Sequence, residues 1–181
     1  MMQLTSLTSP KLIMGNPAPI LEVNTLAGNS WTLVNQAPDH YTMVVFYRGL
    51  HCPVCHQYIA DLERKLDAFN RLGVNAIAIS GDTQDQAQQF STKANIQNLI
   101  IGYGLTPDAM RRWGLYLSRG HFDHEPALFS EPALFLINPS GHLYFANIGT
   151  HPFSRVNFDF LLQGLAYVIA QNYPFRGTEW N

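Results

Sequence analysis

The sequence predicts an α/β domain built around a parallel strand, helix, strand unit, and two observations carry this prediction. First, the apolar runs 43–47 and 74–79 flank a segment in which hydrophobic residues recur at helical spacing. Second, hairpin patterns occur on either side of this unit, at 16–34 and 132–148. Because a strand joined by a helix to a second strand forms a right-handed crossover, the two central strands are expected to be parallel.

The first elements follow from local patterns. Residues 16–34 predict a β-hairpin, with turn residues at 27–30, and residues 43–47 predict a buried strand. The next segment has an apolar face at helical spacing and Gly73 at the position of a helix C-terminus. That face consists of Tyr58, Ile59, Leu62, Leu66, Phe69 and Leu72. The strand at 74–79 then completes the crossover.

The middle of the chain predicts two further helices and a strand. Thr83 and Gln86 have the spacing of a capping box, so a helix is expected from there to about Ala94. Residues 98–101 form the next candidate strand, and Thr106 followed by a proline is a helix start.

The last third combines an irregular stretch with a clear hairpin. Residues 118–130 show no periodic pattern and are interpreted as an inserted loop. Glu-Pro-Ala-Leu-Phe occurs at 125–129 and again at 131–135, where only the second copy is expected to begin a strand. The hairpin 132–148 has a proline-led turn, and a final helix is expected over 155–171.

Two cysteines lie where the first central strand passes into its helix. Cys52 and Cys55 are separated by two residues, which allows a disulfide across the first helical turn. A cysteine reacts as its thiolate, and the free amides and positive dipole end of a helix N-terminus stabilise that anion. Arg48 and His51 add positive charge if their side chains face the sulfurs. The pattern therefore predicts one cysteine with a lowered pKa beside a second that resolves what the first one forms.

Length and composition limit the class of protein. At 181 residues the chain suits one domain, assigned to 1–181, with an N-terminal extension at 1–15 and an irregular tail at 173–181. The formal net charge of -2 and the absence of basic clusters disfavour nucleic acid as a partner. Neither a signal-peptide pattern nor a run of apolar residues long enough to span a membrane occurs, so a cytoplasmic protein without a membrane partner is expected. In a reducing compartment, closely spaced cysteines favour redox or metal chemistry over a structural disulfide.

The order of elements resembles the thioredoxin fold, and more narrowly the AhpC/TSA peroxiredoxin-like family. The similarity covers about residues 16–172, and the N-terminal hairpin is of the peroxiredoxin type. It rests on three strings, which are 47–55 (Tyr-Arg-Gly-Leu-His-Cys-Pro-Val-Cys), 78–83 (Ala-Ile-Ser-Gly-Asp-Thr) and 132–141 (Pro-Ala-Leu-Phe-Leu-Ile-Asn-Pro-Ser-Gly). The resemblance implies a central mixed sheet flanked by helices.

Some positions depart from the better-known relatives. In the Pro-x-x-x-Thr-x-x-Cys pattern of peroxiredoxins, Cys55 takes the cysteine place, Cys52 the threonine place and Arg48 the proline place. Pro132 stands where peroxiredoxins have an arginine, and it resembles the cis-proline of thioredoxins. The buried acid of thioredoxins falls on a phenylalanine here, which leaves His51 and Glu131 as candidates for proton transfer.

The resemblance implies a thiol-disulfide redox enzyme, in one of two versions. In the thioredoxin-like version, exposed Cys52 attacks a disulfide-containing protein and Cys55 releases the mixed disulfide. In the peroxidase version, Cys55 attacks a peroxide and its sulfenic acid condenses with Cys52. Backbone groups beside Pro132 would pair with an extended substrate or hold the peroxide pocket, provided the preceding peptide is cis. An external thiol, such as a thioredoxin or glutathione system, would reduce the disulfide, and a homodimer is compatible with the resemblance.

Two alternatives from other classes stay open. One is a redox-inactive binding module that holds a peptide near Pro132, which would bind equally well after both cysteines are changed to serine. The other is a metal site in which Cys52 and Cys55 recruit histidines, from among His51, His56, His121 and His124. Because no second Cys-x-x-Cys completes a ligand set, neither a metal nor another cofactor is expected. The pattern Cys-x-x-Cys-His of c-type haem attachment also fits residues 52–56, but in the wrong surrounding fold.

Overall fold

The structure is a computed structural model that describes residues 12–179. Its strands are β1 (Glu22–Thr25), β2 (Ser30–Thr32), β3 (Tyr41–Phe46), β4 (Val74–Ile79), β5 (Ile100–Tyr103), β6 (Leu117–Arg119), β7 (Leu128–Ser130), β8 (Ala133–Ile137) and β9 (Leu143–Ile148). Its helices are α1 (Pro53–Arg71), α2 (Gln84–Lys93), α3 (Pro107–Arg112) and α4 (Phe158–Ala170), with a short 3-10 helix at Leu33–Asn35. Within this part of the chain, no helix has the length and apolar character needed to cross a membrane.

Seven strands form one mixed sheet in the order β2-β1-β5-β4-β3-β8-β9. Strand β3 runs parallel to β4 and antiparallel to β8. Its side chains alternate between two hydrophobic clusters, with Met43 and Val45 on one face and Val44 and Phe46 on the other. Helices α1, α2 and α4 contribute to the first cluster and α3 to the second. The predicted central mixed sheet flanked by helices is therefore confirmed.

The register of the central strands determines where the site lies. Phe46, at the end of β3, is opposite Ile79 at the end of β4 and opposite Ala133 at the start of β8. The segments that follow β3 and β4 and the segment that precedes β8 therefore meet at one edge of the sheet. In open α/β sheets, this carboxyl edge of parallel strands is the usual position of a functional site.

Several elements form as the local patterns predict, with shifted bounds. In α2, the Thr83 side chain accepts from the Gln86 N–H while the Gln86 side chain accepts from the Thr83 N–H, which is the predicted capping box. Helix α4 begins at Phe158 rather than at 155, because the Asn157 side chain caps it by accepting from the Phe160 N–H. The predicted extension and tail fall partly outside the described residues, and 12–15 and 173–179 contain no helix or strand.

The inserted stretch 118–130 is more ordered than the sequence predicts. Strands β6 and β7 pair as a separate antiparallel two-stranded sheet. The prediction that the first Glu-Pro-Ala-Leu-Phe copy begins no strand is wrong, since β7 starts at Leu128 within that copy. Strands of three residues are too short to show a period of two, so no periodic pattern in the sequence predicts them.

Candidate active site

Both cysteines lie at the start of α1, where the predicted strand-to-helix transition places them. Cys52 is the N-cap residue, Pro53 occupies the first helical turn, and Cys55 donates its N–H to the Cys52 carbonyl at 3.0 Å. Both are free thiols, and their exposed fractions are 1% for Cys52 and 0% for Cys55. The expectation of an exposed Cys52 is therefore wrong, because Cys52 packs within the first hydrophobic cluster.

The pKa values of the two thiols are shifted in opposite directions. The pKa of Cys52 is lowered to about 6, first by the hydrogen bond from the Cys55 side chain and then by the Cys55 N–H and Arg48, while burial opposes this. The pKa of Cys55 is raised well above its ordinary value, mainly by burial and also by its hydrogen bond to Cys52. At neutral pH these shifts favour a negative charge on Cys52 and a proton on Cys55. The sequence predicts one cysteine with a lowered pKa beside a second, but not which of the two it is.

Arg48 connects the Cys52 side of the site to the inserted hairpin. Its Nε lies 3.1 Å from Glu131 Oε2 and its Nη2 lies 3.6 Å from Glu125 Oε1. Its guanidinium also lies 4.7 Å from the centroid of the Phe129 ring. The Ser118 hydroxyl donates to Glu131 Oε1 at 2.7 Å. These contacts bring two of the predicted supporting residues, Arg48 and Glu131, into one charged network beside the thiolate.

His51 lies in the site but without a charge. Its ring centroid is 4.5 Å from that of Phe129, and both ring nitrogens are buried with no hydrogen-bond partner among the described residues. Burial, and then the nearby charge of Arg48, lower the pKa of His51 to about 4. The prediction that His51 supplies positive charge is therefore wrong, because the hairpin that covers it removes it from water.

Arg155 is a site residue that the sequence analysis missed. It lies in the segment between β9 and α4, and its Nη2 donates to Cys55 Sγ at 3.1 Å. Its guanidinium lies over the Tyr58 ring, 4.8 Å from the centroid, and its Nε donates to the Pro152 carbonyl. No local signal could have identified it, since 100 positions separate it from Cys55. The sequence around Arg155 predicts only the start of a helix.

Pro132 lies beside the site, and two backbone groups next to it are bonded within the protein. The peptide between Glu131 and Pro132 is trans, as are all described peptide bonds. The Glu131 N–H donates to the Tyr116 carbonyl at 2.7 Å, and the Pro132 carbonyl accepts from the Gly149 N–H at 2.8 Å. The condition for the expected pairing with an extended substrate is therefore not met.

Asp82 is a second residue that the sequence analysis did not single out. It follows β4 and is buried, with an exposed fraction of 4%. Its Oδ2 accepts from the Leu50 N–H at 2.9 Å, and burial raises its pKa to about 6. The available signal was its position just beyond the carboxyl end of a parallel strand, which is where such sheets place functional polar groups.

Of the four histidines considered for a metal site, His51 and His124 line one cavity. His56 packs against Phe90 at 4.9 Å between ring centroids, while His121 and His124 lie in the inserted hairpin. Between residues 12 and 179, no three His, Cys, Asp or Glu side chains form a group that could hold a metal ion.

Comparison with known proteins agrees with this architecture. The family model for the AhpC/TSA family matches residues 14–146. A reduced 2-Cys peroxiredoxin of Plasmodium vivax is 19% identical with a TM-score of 0.73, over 90% of this chain and 84% of the other. AhpC of Mycobacterium bovis is 15% identical with a TM-score of 0.71, over 95% of this chain and 99% of the other. A peroxiredoxin-like protein of Aquifex aeolicus is 19% identical with a TM-score of 0.70, over 88% of this chain and 89% of the other. No curated protein sequence gives a significant match.

The family match covers well over half of the chain, and the structural similarities support the fold. The chain therefore belongs to the AhpC/TSA family, and it is an enzyme of the thiol-dependent peroxidase or thiol oxidoreductase class.

Proposed function

We propose that the chain reduces peroxides with its Cys52–Cys55 dithiol, and that Cys52 is the attacking sulfur. The observation that carries this proposal is the enclosed pair itself, in which Cys52 has a lowered pKa and Cys55 keeps its proton. A thiolate is the reactive form of cysteine, and the neighbouring Cys55 lies within the same helical turn, where it can resolve the product once it gives up its proton.

The reaction proceeds in two steps on the protein. The Cys52 thiolate attacks one peroxide oxygen, the O–O bond breaks, and the second oxygen leaves as hydroxide or alkoxide, which takes up a proton to give water or an alcohol. Cys52 is oxidised to a sulfenic acid. Cys55 then loses its proton and attacks that sulfur as a thiolate, the S–O bond of the sulfenic acid breaks, the intramolecular disulfide forms, and the proton and the departing hydroxide combine as water.

The burial of both sulfurs favours a small substrate over a protein disulfide. A protein disulfide has to reach the attacking sulfur directly, whereas Cys52 has an exposed fraction of only 1%. Two backbone groups beside Pro132 that could hold an extended chain, the Glu131 N–H and the Pro132 carbonyl, are bonded within the protein. A peroxide needs only a narrow opening and a few hydrogen-bond donors, which Arg48 and Arg155 can supply beside the sulfurs.

Closing the cycle needs an external reductant. An external thiol, of the thioredoxin or glutathione type, attacks the disulfide, and two thiols are oxidised as both cysteines are reduced. We further infer that the whole of 1–181 acts as one domain, that it works in the cytoplasm, and that it pairs as a homodimer, as is typical of the family.

The test is the rate at which the fully reduced protein forms its disulfide with stoichiometric hydrogen peroxide, followed by intact mass against a free-thiol control. We expect a rate far above the control. Cys55→Ser should still react and accumulate a sulfenic acid on Cys52, trapped by dimedone, whereas Cys52→Ser should react like the control. Fast sulfenic acid formation in Cys52→Ser would instead assign the attack to Cys55.

A wild-type rate equal to the control would overturn the peroxide proposal. Insulin-disulfide reduction by the same preparation would then show whether the dithiol exchanges with protein disulfides.

A further inference from the structure

Asp82 is a buried acid for which the two-step reaction has no use. Its exposed fraction is 4%, and none of the ion pairs between described residues includes it. An ionised carboxylate in such a position is unfavourable unless hydrogen bonds compensate for the lost water. Two hydrogen bonds compensate, one from the Ser80 side chain and one from the Leu50 N–H, which lies 2.9 Å from Oδ2.

The carboxylate lies directly against the turn that leads to Cys52. In that turn the Cys52 N–H donates to the Gly49 carbonyl at 3.1 Å. Gly49 has φ +127°, and a Cβ at this position would lie 2.5 Å from Asp82 Oδ1. The backbone of the turn therefore approaches the carboxylate as closely as a glycine allows, and the Leu50 N–H closes the contact.

We propose that Asp82 is a positioning residue that holds the turn from Arg48 to Cys52 against the end of β4, and so keeps Cys52 in the geometry that stabilises its thiolate. The Cys52 sulfur gains its stability from the Cys55 side chain and N–H and from Arg48. Each of these contacts depends on where the turn delivers Cys52 to the start of α1. The inference rests on the proposed role of Cys52 as the attacking sulfur.

Two substitutions separate positioning from simple charge repulsion. Asp82→Asn keeps an oxygen that can accept the Leu50 N–H but removes the charge, whereas Asp82→Ala removes both. If Asp82 acted on Cys52 only through its negative charge, both changes would lower the pKa of Cys52. If it positions the turn, Asp82→Ala raises that pKa and Asp82→Asn leaves it close to the wild-type value.

The experiment measures the thiolate absorbance of the reduced protein against pH, which needs no reagent to reach the buried sulfur, and uses Cys52→Ser to assign the titration to Cys52. We expect Asp82→Ala to raise the pKa of Cys52 by about one unit, which corresponds to about tenfold less thiolate below that pKa. Asp82→Asn should stay within a few tenths of a unit. Asp85→Ala, the same chemical change at an exposed site three positions along, should have no effect.

Asp82→Leu is the second variant in case Asp82→Ala does not fold, since it fills the site without an acceptor. An unchanged or lowered pKa of Cys52 in Asp82→Ala or Asp82→Leu would overturn the proposal, and so would an Asp82→Asn shift as large as that of Asp82→Ala. The titration does not depend on peroxide. If wild-type protein oxidises no faster than the control while these shifts occur, the proposed function fails and the positioning role stands.

Discussion

Each of the two sulfurs has an arginine beside it, but the two arginines reach the site by different routes. Arg48 lies in the turn that leads to Cys52 and is held by the carboxylates of Glu125 and Glu131. Arg155 lies in the segment between β9 and α4, and it donates directly to Cys55 Sγ at 3.1 Å. One half of the site is therefore built from local sequence and the inserted hairpin, and the other half from tertiary packing alone.

The difference suggests a division of roles between the two arginines. Arg48 is among the groups that lower the pKa of Cys52, so its main effect falls on the attack. Arg155 is the largest of the groups that oppose the raised pKa of Cys55, and it lowers the pKa of Cys52 less than Arg48 does, so its main effect is expected on the resolving step. Variants in which the attack by Cys52 and the disulfide closure by Cys55 change by different amounts test this division of roles.

The largest effect is expected from Arg48→Ala. Losing a hydrogen bond to a charged partner costs about 1.5 to 3 kcal/mol, or about one to two units in the pKa of Cys52, and since that pKa is about 6 the second-order rate of Cys52 oxidation at pH 6.5 should fall roughly three- to thirtyfold. Stopped-flow measurement of peroxide consumption by the reduced protein gives this rate. Arg111→Ala, at an exposed ion pair on α3, is the matched control and should react like wild type. A wild-type rate in Arg48→Ala would remove Arg48 from the attack.

The pH dependence of the attack tests the same half of the site without a substitution. Because the pKa of Cys52 is lowered to about 6, the thiolate fraction and the rate should rise about tenfold between pH 5 and pH 7 and then level off. An ordinary thiol would keep gaining rate up to about pH 8.5. A profile that still rises steeply above pH 8 would show that the contacts around Cys52 do not lower its pKa.

Arg155→Ala should change the second step more than the first. Without the guanidinium the pKa of Cys55 rises further, so less of the attacking thiolate forms and disulfide closure slows by about five- to tenfold. Sulfenic acid on Cys52 should then accumulate and be trapped by dimedone, while peroxide consumption in the first turnover changes by less than about threefold. Arg155→Lys keeps the charge and should recover part of the closure rate. Equal slowing of both steps would contradict the division of roles.

The contrast between the two halves also shows what the sequence could reveal. The parallel unit around β3 and β4 was predictable because its apolar periods are long, and the cysteines because their spacing coincides with a helix start. Arg155 was not predictable, since its contact with Cys55 depends on the path of the chain after β9. The charge of His51 was mispredicted because β6 and β7, which cover it, are too short to be seen in the sequence.

The smallest effect is expected from Glu131→Gln, and its sign separates two roles for the carboxylate. Glu131 neutralises part of the charge of Arg48, at 3.1 Å from its Nε, and Gln keeps the size and the hydrogen-bonding oxygen that faces Ser118. If neutralisation dominates, Arg48 acts more strongly on the Cys52 thiolate, the pKa of Cys52 falls by a few tenths of a unit, and oxidation at pH 5.5 becomes about twofold faster. Above pH 8 the rate should be unchanged, because Cys52 is then already ionised, and Glu22→Gln at an exposed site on β1 should behave like wild type at both pH values. A slower reaction at pH 5.5 would mean that the carboxylate acts mainly by holding Arg48 in place, in which case the inserted hairpin supports the attack through the position of this arginine rather than by reducing its charge.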